Sequence, residues 1–368
     1  MSGSRPSERA VREIEAIVGW YLDQAYGQSE GPGLTPFFGD AARVGAFAVD
    51  LDRLRRRDDA ALFRLLVLMS LYQSRRDVDI MAIQRTMARG AATALTSTTK
   101  LQVLVEDGRC DRLRSASAFD AGCDVRRDFA RETAACGYRP RTACHVKAAT
   151  LAIGRMGDMG MIPTSAWLHV GRVGLGQWFD EVCAATTAPT ARAELMVDRL
   201  ATIHRIGRKL ATMYVSALST PELSPGFAPW QPEIDGSRLV VIDANVGRVI
   251  DQLRRGRRPR TYQAMADWLI AVADRIDLRR LRADVPARSP RLVQQALYVF
   301  RSRSNRIEHG SDCKAAPCAT CPSAACPFAA GATAPRLDAD GQELVRYPTR
   351  VRARGGAGAA RTTSSRQG

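Results

Sequence analysis

DRLATIHRIGRKLATMYVSAL, residues 198–218, is the most informative stretch of this sequence. Apolar residues recur at helical spacing on both sides of a short turn that contains Gly207. The pattern predicts two helices joined by a tight turn, with Lys209 in the first turn of the second helix. A helix start carries unpaired backbone N–H groups and a partial positive charge, so such a turn suits a phosphate.

Downstream of this hairpin, VVIDANVGRV at residues 240–249 predicts an apolar run followed by a helix that starts near Ala244. Asp243 stands where a side chain can cap that helix. Further helices are predicted at 7–26, 51–73, 77–90, 261–275 and 289–302, and loops at 28–37 and 219–237. Because no region shows a run of alternating strands, we predict an all-α fold.

The charge balance points to a polyanionic partner. Lys and Arg number 54 against 38 Asp and Glu, which gives a net charge of +16. Residues 331–368 hold seven Arg and three acidic residues, so the rest of the chain keeps about +12. A basic body predicts nucleic acid as the partner, with a general solubility bias as the alternative. Lysine is rare, at four residues against 50 Arg, which singles out Lys209.

No apolar run approaches the ~20 residues that a membrane span needs, and the N-terminus does not resemble a signal peptide. We therefore expect a cytoplasmic protein with no membrane association and with reduced cysteines.

Four cysteines near the C-terminus are spaced C-x4-C-x2-C-x4-C, namely Cys313, Cys318, Cys321 and Cys326. A C-x2-C pair can place two thiolates on one metal ion or one cluster face, so this spacing predicts metal or cluster ligation. The spacing alone leaves zinc and a 4Fe–4S cluster open. Four earlier cysteines have long, uneven gaps and are predicted to be isolated thiols rather than a second metal site: Cys110, Cys123, Cys136 and Cys144.

The order of these motifs resembles the iron–sulfur branch of the helix–hairpin–helix DNA glycosylases, the endonuclease III and adenine-mismatch glycosylase group. The matching features are the hairpin with G-R-K, the segment D-A-N-V-G-R-V, and four clustered cysteines preceded by His-Gly. LLVLMSLYQSRRD at 65–77 also resembles the family's early helix, whose glutamine enters the DNA. The resemblance covers about residues 55–95 and 190–330.

This resemblance implies a two-domain helical glycosylase architecture and a repair enzyme that excises a damaged base from double-stranded DNA. Lys209 falls on the catalytic lysine, which attacks the sugar C1′ and forms a Schiff base, and Asp243 falls on the activating aspartate. Gln73 falls on the residue that fills the gap left by the flipped base. The four clustered cysteines would hold a 4Fe–4S cluster, which this resemblance favours over zinc. Further DNA contacts are expected from Arg205, Gly207, Arg208, Asn245 and Arg248.

The resemblance also implies a division of the chain into four parts. Residues 1–54 form a helical segment that packs with the cluster domain, and residues 55–218 form a helical barrel that ends in the hairpin. Residues 219–330 form the cluster domain with Asp243. The basic remainder, 331–368, is predicted to be disordered. We expect a monomer associated with the nucleoid.

The sequence departs from the family at Arg205, where a glycine normally lets the backbone approach a phosphate. The loop before Asp243 is longer than usual, and the gaps between the clustered cysteines are shorter, which places the chain in a divergent subfamily. Two alternative functions stay open. Asn245 resembles the adenine-mismatch branch and allows a monofunctional glycosylase, while Arg205 allows a catalytically silent iron–sulfur DNA-binding protein.

The individual site residues also have alternative interpretations that involve no catalysis. Lys209 could only bind phosphate, Asp243 could only cap its helix, and Gln73 could be an ordinary helix residue.

Overall fold

A computed structural model describes residues 6–24, 26, 34–73, 77–108, 110–125, 144–153, 159–224, 226–254 and 261–302. The chain divides into a unit at residues 1–326 and a second unit at 327–368, which lies outside the described residues. The prediction of an all-α fold is confirmed for the described ranges, which contain α-helices and no strand. The α-helices are α1 Glu8–Gln24, α2 Leu34–Gly39, α3 Ala41–Val44, α4 Leu51–Arg55, α5 Asp59–Ser70, α6 Asp77–Thr86, α7 Arg89–Thr96, α8 Thr98–Glu106, α9 Ala116–Gly122, α10 His145–Ile153, α11 Ile162–Ala166, α12 Leu175–Ala185, α13 Pro189–Leu200, α14 Arg208–Ser219, α15 Ala244–Leu253, α16 Tyr262–Ala273 and α17 Pro290–Arg301.

Two hydrophobic cores organise these helices. The first core takes apolar side chains from helices between α2 and α14 and includes Trp230, whose ring packs edge-on against Tyr214 at 5.7 Å. The second core is formed by α1 together with α15, α16 and α17. Trp20 of α1 and Phe300 of α17 meet in this second core, with their ring centroids 5.3 Å apart. The two ends of the described chain are therefore held together, although the domain boundaries at 54, 218 and 330 stay a prediction.

The single helix predicted at residues 51–73 is wrong, because α4 and α5 are separate. Arg57 between them adopts a left-handed backbone with φ of 59°, which a continuous helix does not allow. Asp58 then caps α5, with its Oδ1 accepting from the backbone N–H of Ala61 at 2.9 Å. The predicted loop at 28–37 also ends early, since α2 begins at Leu34.

Helix α14 joins the two cores and so positions the candidate site. Its apolar residues, among them Tyr214 and Val215, belong to the first core. Its polar residues Thr212 and Ser216 are buried as well, and the hydroxyl of Ser216 accepts a hydrogen bond from Arg291 of α17. Within the described ranges, none of the helices combines the length and hydropathy that a bilayer crossing requires.

Candidate functional site

The hairpin turn at residues 201–207 joins α13 to α14 and is held by the first core and by a hydrogen bond. Ile203 and Ile206 are buried in the first core, and the backbone N–H of His204 donates to the hydroxyl of Ser165 at 3.1 Å. Gly207 precedes α14, is exposed, and has no neighbouring atom within 4 Å of the position that a Cβ would take. The start of α14 therefore leaves room for a ligand atom to approach its backbone N–H groups.

Arg205 takes a backbone conformation that normally belongs to glycine. Its φ is 65°, in the left-handed region, and its side chain is exposed at the tip of the turn. The sequence therefore places an arginine side chain on a backbone conformation that suits glycine.

Gln73 lies beside this turn, just beyond the end of α5. Its side-chain amide donates to the carbonyl oxygen of Ser70 at 2.6 Å and to that of Arg205 at 3.2 Å. The structure therefore brings Gln73 and the hairpin together, although they are far apart in sequence.

Arg208, predicted as a DNA contact, has its guanidinium engaged by carboxylates of α13. One nitrogen donates to Asp198 at 2.7 Å and the other to Glu194. These ion pairs connect the two helices of the hairpin, so in this structure Arg208 stabilises the hairpin.

Asp243 caps α15, as its position in the sequence predicts. Its Oδ1 accepts from the backbone N–H of Val246 at 2.8 Å. Burial raises the pKa of the Asp243 carboxyl above its ordinary value of 3.8. The bond from Val246, the positive charge of Lys209 and the backbone N–H of Asn245 each oppose this rise. Asp243 is therefore a partly desolvated carboxyl group that has a lysine as an electrostatic neighbour.

The structure places the two residues predicted to carry the chemistry within electrostatic range of each other. Lys209 lies in the first turn of α14 and is partly buried, and its charge acts on the carboxyl of Asp243 at the start of α15. Asn245 and Arg248, the two other predicted residues of α15, are partly buried next to this pair. Arg248 adds a second positive charge that lowers the pKa of Asp243.

Residues 240–242, which directly precede Asp243, belong to no helix. Their backbone groups form hydrogen bonds with side chains instead. The phenol of Tyr262 donates to the carbonyl of Val240 at 3.0 Å and accepts from the N–H of Ile242 at 3.4 Å. The N–H of Val241 donates to the side-chain oxygen of Gln294 at 3.3 Å. Buried backbone polar groups need such partners, so these side chains fix the course of the chain into Asp243.

A buried arginine of α17, Arg291, carries a further positive charge near Asp243. Arg291 on α17 is only 3% exposed, and its guanidinium donates to the hydroxyl of Ser216 at 3.1 Å and to Gln295 at 3.2 Å. Burial lowers the pKa of Arg291 to about 10, so the group stays charged at neutral pH, and its field reaches Asp243.

Sequence reasoning missed Tyr262 and Arg291, because their hydrogen-bond partners come from segments far away in the sequence.

The predicted cluster ligands Cys313, Cys318, Cys321 and Cys326 lie outside the described residues, as does Cys136. In the described part of the chain, Cys110, Cys123 and Cys144 form no disulfide bond and pack against the first core. Those same ranges contain no group of three or more His, Cys, Asp or Glu side chains that could hold a metal ion.

Comparison of the chain with protein-family models, with curated proteins and with solved structures gave no match. The case for a function therefore depends on the geometry above and on the resemblance carried by the sequence motifs.

Proposed function

We propose that this chain is a DNA glycosylase with lyase activity, which excises a damaged base from double-stranded DNA through a Schiff base on Lys209. The observation that carries the proposal is the position of Lys209 and Asp243 at the starts of α14 and α15. The charge of the amine acts on the desolvated carboxyl group, and exposed Gly207 before α14 leaves room for a phosphate. This is the residue pair that the motif resemblance implies.

The proposed reaction needs a nucleophilic amine and a carboxylate, which Lys209 and Asp243 would supply. The Lys209 nitrogen attacks C1′ while the bond from C1′ to the base breaks, and the base leaves with the bonding electrons and takes up a proton. The amine then loses its proton and the sugar ring opens, which gives an imine between Nζ and C1′. Removal of a proton from C2′ expels the 3′ phosphate and nicks the strand. Throughout, the Asp243 carboxylate would stabilise positive charge that develops on the sugar.

The hairpin would bind the phosphate backbone of the substrate. Exposed Gly207 and the start of α14 suit a phosphate, and Arg205 at the tip adds a guanidinium. Gln73 lies next to this tip, where an inserted side chain would need to start. A base must leave the stack before C1′ can be attacked, at a cost of a few kcal/mol.

A 4Fe–4S cluster on Cys313, Cys318, Cys321 and Cys326 belongs to the proposal, with zinc as the alternative. Four thiolates are a suitable donor set for either, and no step of the reaction above passes through the group. Iron and zinc analysis of the purified chain separates the two.

Borohydride trapping tests the activity, because reduction converts the imine into a stable covalent protein–DNA adduct. We expect the parent to form this adduct on abasic duplexes and on at least one duplex of a panel with damaged bases. Lys209→Gln should abolish the adduct, since it removes the amine while keeping a polar side chain that is only one atom shorter. Lys100→Gln is the matched control, because Lys100 is exposed on α8 and its loss removes the same charge elsewhere.

Three results would contradict the proposal in different ways. Trapping by Lys209→Gln at the parental rate would assign the nucleophile to another amine. Base release by the parent without an adduct would favour the monofunctional glycosylase. Duplex binding with neither adduct nor base release would favour the silent DNA-binding protein.

A further inference from the structure

We propose that Asp120 is a positioning residue for the DNA-binding turn of the hairpin, which it holds through the hydroxyl of Ser165. The inference rests on the proposed function, because it takes this turn as the part of the hairpin that binds a DNA phosphate. Asp120 lies on α9 and is not expected to touch the DNA.

Residues 203–206 form a β-turn at the tip of the hairpin. The hydrogen bond of this turn runs from the N–H of Ile206 to the carbonyl of Ile203 at 2.9 Å. Arg205 is the third residue of the turn and has a φ of 65°, at a position where type II turns usually have glycine. The conformation is unfavourable for arginine, so contacts from outside the turn are needed to stabilise it.

Two side chains from other elements supply such contacts to the turn. The N–H of His204 donates to the Ser165 hydroxyl at 3.1 Å, and the carbonyl of Arg205 accepts from Gln73 at 3.2 Å. Neither backbone group takes part in the hydrogen bond of the turn itself. The Gln73 contact is exposed, whereas Ser165 is fully buried, so water competes less for the contact with Ser165.

The hydroxyl of Ser165 points away from its own helix, unlike those of two other buried serines. Ser70 of α5 and Ser219 of α14 each donate to the carbonyl four residues earlier in their own helix. Ser165 of α11 donates instead to Oδ1 of Asp120 at 2.8 Å. This bond orients the hydroxyl so that its oxygen can accept from the N–H of His204.

Asp120 is held in place through its other carboxylate oxygen. Oδ2 lies 2.9 Å from Nε2 of His169, in the π-helical segment Trp167–Gly171 that directly follows α11. Both side chains are partly buried. A chain of three hydrogen bonds therefore runs from His169 through Asp120 and Ser165 to the backbone beside Arg205.

Amide hydrogen exchange of the full chain, followed by NMR, tests whether Asp120 holds the turn. Asp120→Leu removes both carboxylate oxygens and keeps a side chain of similar size, and the Ser165 hydroxyl can then turn to a carbonyl of its own helix. The amide of His204 should exchange about 10-fold faster, as expected for the loss of one hydrogen bond. Asp120→Asn keeps Oδ1 as an acceptor and should retain the parental rate. Amides of α17 in the second core report global unfolding, and the acceleration at His204 should exceed theirs.

Binding to an undamaged duplex tests whether the DNA depends on the held turn. Loss of a negative charge favours binding to a polyanion, so Asp120→Asn should bind as tightly as the parent or more tightly. Asp120→Leu loses the same charge, yet it should bind about 10-fold more weakly, because binding must then also order the turn. In the Asp120→Leu background, the fold-loss caused by Arg205→Ala should shrink by about half or more, as a double-mutant cycle measures.

A parental exchange rate at His204 in Asp120→Leu would overturn the inference. An equal acceleration in Asp120→Asn would overturn it too, because the acceptor oxygen would then not be responsible. Equal duplex affinities of Asp120→Leu and Asp120→Asn would show that the held turn does not matter for DNA. If the parent binds no duplex, the proposed function fails, whereas the exchange at His204 still decides whether Asp120 holds the turn.

Discussion

Arg205 has a backbone conformation that is unfavourable for a residue with its side chain. A left-handed φ is unfavourable for any side chain with a Cβ and acceptable for glycine. Retaining an arginine there makes sense if the guanidinium has a task, and contact with a DNA phosphate is the task that we propose.

Replacement of Arg205 by Gly and by Ala separates the effect of the backbone conformation from the effect of the guanidinium. Arg205→Gly should raise the free energy of unfolding by about 1 kcal/mol, because relief of the left-handed conformation exceeds the added freedom of the unfolded chain. Arg205→Ala keeps a Cβ and should bring no such gain. Arg205→Ala should also weaken binding to all duplex sequences about equally, since phosphate contacts carry no base information. Arg205→Gly should weaken it less, because backbone contact can take over.

Urea titration and duplex-binding assays measure the two effects. If both variants bind DNA like the parent, the hairpin tip is not a DNA contact in this protein.

Asp243 and Asp58 are both helix caps, yet the structure predicts opposite effects of their ionisation. Burial raises the pKa of Asp243, so its stabilising contribution is present below about 3.8 and is lost as pH rises through the higher folded value. At Asp58, burial also opposes ionisation, but the bond from Ala61 and the contact with Arg53 outweigh it and lower the pKa. The stabilising contribution of Asp58 is therefore present above its unfolded pKa and is lost as pH falls through the folded value.

Asparagine at each position exposes this difference, because Asn caps helices well and cannot ionise. At pH 7, Asp243→Asn should leave the free energy of unfolding equal or higher, whereas Asp58→Asn should lower it. Asp243→Asn should also slow adduct formation by about 10²-fold to 10⁴-fold and remove the acid limb of its pH profile. Denaturant titrations at pH 4 and pH 7 check the stabilities. A loss of stability at pH 7 in Asp243→Asn would show that the carboxylate is not strained by burial.

At the level of helices, prediction from sequence succeeded where a cap and an apolar face agree. Helix α15 starts at Ala244 as predicted, because Asp243 is a good cap and the apolar residues that follow repeat at helical spacing. Helix α17 was predicted within one residue at each end, and it begins with Ser289 as cap and Pro290 in the first turn. The hairpin was predicted from its apolar faces and the turn at Gly207, since neither α13 nor α14 has a side-chain cap at its start.

Prediction failed where a tertiary contact overrides the local pattern. The break between α4 and α5 lies inside an apolar stretch, and no sequence signal requires the left-handed turn at Arg57. That turn is held by contacts with distant residues, since the Arg57 guanidinium donates to the carbonyl of Pro229 at 2.6 Å and to Glu233 at 3.1 Å. The role of Tyr262 was hidden for a related reason, because its partners come from segments separated in sequence.

Within the described unit, a polar seam links helices of the two cores, where Arg291 of α17 donates to the buried hydroxyl of Ser216 on α14. Asp243, at the start of α15, lies within electrostatic range of Arg291. A position between packed elements is a common arrangement for ligand sites. A duplex bound there would need to contact residues of both cores, so its binding should depend on charge spread over much of the chain.

Salt dependence tests this last expectation. Each phosphate neutralised by the protein releases counterions, so log K falls against log salt with a slope of about −0.9 for each phosphate contact. The excess of basic residues before position 331 is about +12, while residues 331–368 contribute seven Arg and three acidic residues. We therefore expect a steep negative slope on duplex DNA, corresponding to about four or more phosphate contacts. Changing the seven Arg of 331–368 to Gln should reduce that slope by less than about half, because most of the positive charge lies elsewhere. A flat salt response in the parent would remove nucleic acid as the partner, and a slope that vanishes with the seven substitutions would assign binding to the C-terminal segment instead of the seam.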